Sequence, residues 1–191
     1  MTGYVFDCAG TFAGVSSFEE DDEVRHFLGV DYFGGKVSVS IDPATADSLE
    51  SHKMGEPCRL VGEVLVSGGS FKPVLKRITF KGDKDFEEVS LDEMYNGLVM
   101  SGPAHFMRKS SYTSRDGVEI FRVRCILMGG TVDLQVDPEV FTTLPEGRVI
   151  MRGRLFSEIS QGFSGGKKTL NRQNWVTVIG ARGFDQMRSK R

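Results

Sequence analysis

Within residues 119–128, Phe121, Val123, Cys125 and Leu127 alternate with Arg122 and Arg124. Side chains on a strand point to opposite faces in turn, so the apolar set belongs to a core and both guanidinium groups to the outside. Paired outward cations are suited to gripping a polyanion. The residues ahead of this strand, Met107-Arg108-Lys109-Ser110-Ser111-Tyr112-Thr113-Ser114-Arg115, add to the charge, and so do Lys167, Lys168 and Arg172 further on. Tyr112 and Phe163 set flat rings among these cations. Such rings either stack on a partner's rings or plug the end of a core. Trp175, beside Val176 and Val178, is expected in a core or an interface.

Residue types used in catalysis or metal binding are not arranged for either. His26, His52 and His105 lack ligand spacing, and there is no G-x-x-x-x-G-K-[ST], G-x-S-x-G or H-E-x-x-H. Ser164-Gly165-Gly166-Lys167-Lys168 is Gly-rich and basic but lacks the phosphate-loop frame. The run Glu19-Glu20-Asp21-Asp22-Glu23 has neither the alternation nor the glycine of a calcium loop. Cys8, Cys58 and Cys125 make an odd count with no CxxC pair, each in an apolar, strand-like run. They read as small buried hydrophobes of a protein in a reducing cytoplasm, not as a disulfide framework or a zinc site. The expectation is a binding module with no cofactor and no metal.

The chain of 191 residues, 39% hydrophobic and 26% charged, is long enough for one large domain or two small ones and reads as globular. No apolar run approaches the roughly 18 residues of a membrane span, and the start MTGYVFDCAG does not read as a signal peptide. The net charge of −2 hides a division. Residues 1–104 hold 9 Lys+Arg against 18 Asp+Glu, a net of −9, whereas residues 105–191 hold 15 against 8, a net of +7. A polyanion partner for the basic half is the reading this favours; two halves that attract each other, or a neighbouring copy, is the alternative.

The elements that position these residues occur twice. GYVFDCAGTFAGVSSF (3–18) lies over GLVMSGPAHFMRKSSY (97–112) at an offset of 94, with Val5 on Val99 and Phe12 on Phe106. DYFGGKVSVSIDP (31–43) lies over ILMGGTVDLQVDP (126–138) at an offset of 95. CRLVGEVL (58–65) lies over VIMRGRLF (149–156), Gly62 on Gly153. Ordered matches with small gaps indicate two copies of one small fold, about 3–80 and 97–180. Each copy reads as a long bent strand (4–18 or 98–112), a second strand (24–33 or 119–128), a Gly-Gly turn and a third strand (36–41 or 131–136). Asp42 or Asp137 then caps a short helix with Pro at its first position, the second helix being the poorer. Two more strands follow, 58–66 or 148–156 and 71–80 or 169–179.

Three strands, a short helix and two strands, twice over, resembles the oligonucleotide/oligosaccharide-binding fold of single-stranded-DNA-binding proteins, a small Greek-key barrel. The resemblance spans both copies and is one of architecture. It implies an all-β protein of two tandem five-stranded barrels, 1–80 and 97–191, each with a short helix between strands three and four. Residues 81–96 are then an acidic connector with a short helix. In this fold the outer face of strands two and three, flanked by the 1–2 and 4–5 connections, is the usual nucleic-acid platform. On the second copy this implies binding roles for Arg108, Lys109, Tyr112 and Arg115 in the 1–2 connection and for Arg122 and Arg124 on strand two. It implies the same for Phe163, Lys167, Lys168 and Arg172 in or just after the 4–5 connection Ser157–Thr169. Cations track phosphates, and rings stack on unpaired bases. The first copy has an acidic 1–2 connection, a short 4–5 loop (Ser67-Gly68-Gly69-Ser70) and basic charge mainly at Lys72, Lys76, Arg77, Lys81 and Lys84.

The function implied is non-enzymatic binding of single-stranded nucleic acid, DNA ahead of RNA, in replication, repair or recombination. The first copy is left for self-association or a protein partner, in a cytoplasmic homo-oligomer, first of all a dimer, with no membrane contact. One departure stands out: bacterial members end in an acidic tail, whereas Asp185–Arg191 here is basic. A protein–protein adaptor or assembly subunit is the alternative, as is single-stranded RNA binding.

Overall fold

The computed structural model describes residues 4–20, 23–32, 35–88, 90, 97–128 and 130–183. In the first copy β1 (Tyr4–Glu20), β2 (Glu23–Tyr32) and β3 (Gly35–Ile41) form a meander, α1 (Pro43–Leu49) follows, and β4 (Pro57–Ser67) and β5 (Ser70–Phe80) form a hairpin. The second copy repeats this with β6 (Val99–Thr113), β7 (Glu119–Leu127), β8 (Gly130–Val136), α2 (Pro138–Phe141), β9 (Gly147–Ser164) and β10 (Lys167–Gly183). Strand neighbours run β2-β3-β5-β4-β1, with β1 returning to β2, and β6-β7-β8-β10-β9, with β9 returning to β6. These are the two five-stranded Greek-key barrels that the sequence pattern implies. Asp42 and Asp137 cap the helices as expected, accepting from the Thr45 and Glu139 amides at 2.9 and 3.0 Å.

The long first strand of each copy serves two walls. Tyr4–Thr11 of β1 pairs with β4, and Thr11–Glu20 pairs with β2. A bulge between Phe12 and Gly14 bends it, with Gly14 at φ +95°. In β6 the bulge falls between Phe106 and Arg108, the positions 94 residues on. The conserved-by-repeat pair Gly62 and Gly153 also has a cause. Gly62 pairs with Phe6 and Gly153 with Met100, and both of these side chains are fully buried in their barrels. A Cβ on Gly62 would collide with the Phe6 ring and the Val74 carbonyl. The three cysteines fill the same cores; burial pushes the Cys58 and Cys125 thiols up to about 12 and the Cys8 thiol up as well.

One feature was not visible in the repeat: the barrels share backbone. β1 and β6 pair antiparallel through Val5–Ser101, Phe6–Met100 and Asp7–Val99, so all ten strands form one sheet that closes twice. Phe6 and Met100 are equivalent residues, 94 apart. Their pairing with each other places a local two-fold axis between them. The Tyr4 hydroxyl donates to the Pro103 carbonyl across this junction, and the Tyr4 ring lies over Gly102. Gly97, at φ +63°, lies against the Tyr32 ring.

The two connections expected beside the platform are mostly strand, as the strand expected over 98–112 already implies for the first. The 1–2 connection of the second copy is mostly β6, which reaches Thr113, leaving only the turn at Ser114–Val118. The 4–5 connection Ser157–Thr169 is a long hairpin, β9 running to Ser164 and β10 starting at Lys167. Gly165 and Gly166, at φ +58° and +79°, supply the two positive-φ positions that match a tight turn to strand twist. The polar run 157–164 lacks alternation because neither face of its hairpin lines a barrel. Residues 81–88 leave β5 through a turn in which Asp83 accepts from the Phe80 amide. Of the connector 81–96, in which a short helix is expected, residues 89 and 91–96 lie outside the described residues, as do Asp21, Asp22, Gly34, Gly129 and the basic end 185–191.

Replacing Gly62 with Ala is expected to destabilise the protein by about 1–3 kcal/mol, the usual cost of overpacking a core. Urea unfolding measures it; an unchanged midpoint would contradict the close approach of Phe6.

Candidate nucleic-acid interface

Beyond its bulge, β6 lies beside β7 with Arg108 opposite Arg124, Ser110 opposite Arg122 and Tyr112 opposite Ile120. On the far side of β7, β8 puts Asp133 opposite Arg124 and Gln135 opposite Arg122. Three strands thus present Arg108-Arg124-Asp133 and Ser110-Arg122-Gln135 as two rows on one outer face. Val123, Cys125 and Leu134 point the other way and are buried. The Arg122 guanidinium lies over the Tyr112 ring at 4.8 Å. This contact aligns a cation and a half-exposed π face without using the arginine's hydrogen-bond donors. Arg124 is restrained only loosely, its Nε 3.9 Å from Asp133 Oδ1. Ile126, 45% exposed, continues the row towards the end of β7, and Met107 and Met128 flank the face. Asp133, Gln135 and Ile126 were not singled out from sequence, although their alternation with Val132, Leu134 and Val136 or with Cys125 and Leu127 marks them as outward.

Two of the expected residues differ from this group. Arg115 sits at the exposed tip of the β6–β7 turn, which Ser114 closes by accepting from the Val118 amide at 3.1 Å. Lys109, between Arg108 and Ser110 on a strand, points to the opposite side. Its Nζ donates to the Leu144 carbonyl at 3.1 Å and to the Phe141 carbonyl at 3.4 Å, and lies 5.8 Å from the Phe141 ring. It ties the hairpin to the end of α2. The strand expected over 98–112 already alternates these sides; grouping 107–115 as one connection hid it.

The remaining expected residues, Phe163, Lys167, Lys168 and Arg172, are carried by the β9–β10 hairpin, which leaves its own barrel and docks on the first. Lys168 Nζ donates to Glu19 Oε2 at 2.9 Å, and Arg172 Nη2 reaches Glu20 Oε2 at 3.5 Å. The Arg172 guanidinium also lies over the Phe27 ring at 5.2 Å. Phe163 is 76% exposed.

That docking makes the two copies unequal. By the repeat, Phe27 and Gly29 of β2 stand where Arg122 and Arg124 stand in β7. Phe27 points out of its barrel, away from Leu28 and Val30, yet is only 3% exposed because the hairpin covers it. A cleft of about 300 Å³ lies between hairpin and barrel, with Phe18, Phe27, Lys36 and Ser38 on one side and Ser160, Asn171 and Gln173 on the other. The matching β4–β5 hairpin turns after Ser67, and a Cβ on its tip residue Gly69 would sit 3.9 Å from Val132 of β8. It reaches the rim of the second barrel's face and stops. The first barrel's face is therefore covered and the second's is open.

Among the described residues no group of three or more His, Cys, Asp and Glu could hold a metal ion, and no helix is long and apolar enough to cross a membrane. His26 bonds Ser17 Oγ at 2.8 Å, and His52 pairs with Glu56 while stacking on Phe80 at 3.6 Å. Trp175 stacks on Phe156 at 5.2 Å.

No protein-family model matches the chain, and no curated protein matches it in sequence. Among solved structures, the chain is similar to the wild-type single-stranded DNA binding protein from Thermus aquaticus, with a TM-score of 0.52 and 13% identity over 95% of this chain and 92% of that one. A deletion mutant of the same protein matches with a TM-score of 0.52 and 12% identity, over 95% of each chain. At this identity the likeness is one of fold: the tandem barrel arrangement, along nearly the whole chain, is shared.

Lys109→Met is expected to lower stability by about 0.5–1.5 kcal/mol through loss of the bonds to the α2 carbonyls. Chemical denaturation reads this directly, and an equal loss in Arg108→Met would contradict the assignment of Lys109 to the inner side.

Proposed function

We propose that the chain binds single-stranded nucleic acid, DNA ahead of RNA, on the outer face of β6, β7 and β8, without catalysis. The observation that carries this reading is the open group of Arg108, Arg124 and Arg122 with Tyr112 beside it, on the second barrel's face, which the β4–β5 hairpin leaves uncovered. Arginines spaced along a flat face follow a phosphate backbone, and an exposed ring among them offers a stacking surface for an unpaired base. The name of the Thermus aquaticus protein that shares the tandem fold supports the same choice of ligand. Phe163, Lys167, Lys168 and Arg172 belong to the same proposal as a second patch that a strand reaches after the platform. Replication, repair or recombination are the processes such binding serves, and a reducing cytoplasm suits three free buried thiols.

Binding is expected to weaken steeply with salt, each neutralised phosphate adding a log–log slope of about −0.7. Replacing Arg122 and Arg124 together with Ala is expected to flatten that slope by about one to two contacts' worth, while urea unfolding stays unchanged. Tyr112→Ala is expected to cost about 1–3 kcal/mol of binding with little change in slope. Replacing Lys76 and Arg77 of the first barrel is expected to do markedly less. Fluorescence anisotropy with single-stranded DNA, duplex DNA and RNA at several salt concentrations measures all of these. Wild-type protein that binds none of them at low salt would promote the adaptor reading instead.

Self-association is the second part of the proposal. Around the β1–β6 junction the outer sheet face carries half-exposed Val5 and Leu65 with Val61, Val99 and Ile150, over a cleft of about 830 Å³. Asp7, bridged to Arg59, lies on its first-barrel side and Arg152 and Arg182 on its second. A second copy turned end for end on this face would set the two apolar centres against each other, an isologous arrangement. Light scattering is expected to return twice the 21.1 kDa chain mass, and Val5→Asp with Val99→Asp to return the monomer. A wild-type mass near that of one chain at micromolar concentration would refute the dimer.

A further inference from the structure

The β9–β10 hairpin holds its cations against carboxylates. Glu19 Oε2 accepts from Lys168 at 2.9 Å, and Glu20 Oε2 is shared by Arg172 at 3.5 Å and Arg25 at 2.9 Å. Arg25 also reaches Glu23 at 3.3 Å. Both glutamates come from the tip of the β1–β2 hairpin, the strip of the first barrel that corresponds to Tyr112–Thr113 and the turn after them in the second. The acidic run thus occupies the cations of the other copy. The Lys168–Glu19 pair is solvated, its side chains 50% and 64% exposed, whereas Arg172 and Glu20 are 29% and 25% exposed. An exposed pair is weak and screened by salt, so another anion exchanges most readily for the Glu19 carboxylate. Lys168 nevertheless holds the Glu19 carboxyl below its ordinary range, through the hydrogen bond first and the charge second. Beside the pairs, the cleft of about 300 Å³ is lined by Phe18, Phe27, Lys36, Glu158, Asn171 and Gln173 together with serines. Rings beside hydrogen-bonding groups suit a base, next to cations placed for its phosphate.

We propose that Glu19 and Glu20 act as a built-in stand-in for phosphate, masking a second nucleic-acid site formed by Lys168, Arg172 and the cleft under the β9–β10 hairpin. The proposal rests on the single-strand reading above and adds its regulation. A strand that has engaged Arg122 and Arg124 enters this second site only by displacing the two carboxylates. Exchange of carboxylate for phosphate releases few counterions. Contacts at Lys168 and Arg172 therefore add little to the salt slope of the wild-type chain. With the carboxylates neutralised, the same cations hold free anions instead and release them on binding.

The experiment compares the full wild-type chain with Glu19→Gln/Glu20→Gln and with Asp47→Asn/Glu50→Gln, which removes the same charge from exposed residues in and just after α1. Binding of an oligothymidylate long enough to span both barrels is followed by anisotropy from low to moderate salt. The masked site predicts a gain in affinity of about three- to tenfold at low salt for the first variant, and a slope steeper by about 0.7 for each freed contact. The α1 variant gains less and keeps the wild-type slope. Adding Lys168→Ala/Arg172→Ala to the first variant returns affinity and slope to wild type or below. No gain, or an equal gain and unchanged slope in the α1 variant, overturns the masking. Loss of binding in Arg122→Ala/Arg124→Ala alongside that result leaves the single-strand reading standing. If the wild type does not bind but Glu19→Gln/Glu20→Gln does, masking is upheld in its strongest form; if neither binds, both readings fall together.

Discussion

Three backbone rungs between β1 and β6 determine how everything else is placed. Val5–Ser101, Phe6–Met100 and Asp7–Val99 join the two barrels backbone to backbone, where the docked β9–β10 hairpin joins them through side chains. Backbone pairing of this kind fixes orientation as well as distance, because a slip of one residue would turn Phe6 and Met100 out of their cores. The register has the copies related by a local two-fold at Phe6 and Met100. Given that axis, a hairpin leaving one barrel has only one place to go, across the other. Tyr4 bonded to Pro103 and Tyr32 set on Gly97 reinforce the same junction from the sides.

Symmetry at the junction and asymmetry at the surface have a single cause, the length of one hairpin. β4 and β5 turn at Gly68-Gly69, whereas β9 and β10 run on to Gly165-Gly166, and both turns use two positive-φ glycines. The longer hairpin covers the first barrel's face, where Phe27 replaces an arginine and receives Arg172 on its ring. The shorter one leaves the second barrel's face open. Charge follows the same division: the acidic hairpin tip of the first copy meets basic strand of the second, so part of the opposed net charge of the two halves is spent inside the molecule. Both readings of the charge pattern thus find physical expression, halves that attract each other at Glu19 and Lys168, and an uncovered cationic face at Arg122 and Arg124.

Much of this was legible in the sequence because it depends on local period. Alternation at Phe121–Leu127 gave the sidedness of Arg122 and Arg124, the repeated Gly62 and Gly153 aligned the two fourth strands, and Asp-Pro marked both helix starts. What depends on pairing partners was not legible. β1–β6 pairing follows from which edge of each barrel is left free, and no residue pattern announces it. The polar run 157–164 has no core face, so period-two reasoning took a long hairpin for a loop. Lys109 is a different case: the strand expected over 98–112 already sets it on the opposite side from Arg108 and Ser110, and grouping 107–115 as one connection ignored that alternation.

The covered face also explains why two copies with one fold have diverged so far. A platform must keep its cations solvated and reachable, so its outward strand positions tolerate Arg, Gln and Asp but gain nothing from a buried ring. A face under a hairpin is under the opposite constraint, since a solvated arginine there would be desolvated beside other cations, whereas Phe27 offers apolar area and a π face to Arg172. Gly29 fits the same logic: a side chain at that position would press on Lys36 and Ala13, at 3.1 and 3.4 Å from its Cβ. With the β9–β10 hairpin lying on the first barrel, packing sets which side chains fit there, and the arginine pair stands on the face that no hairpin reaches.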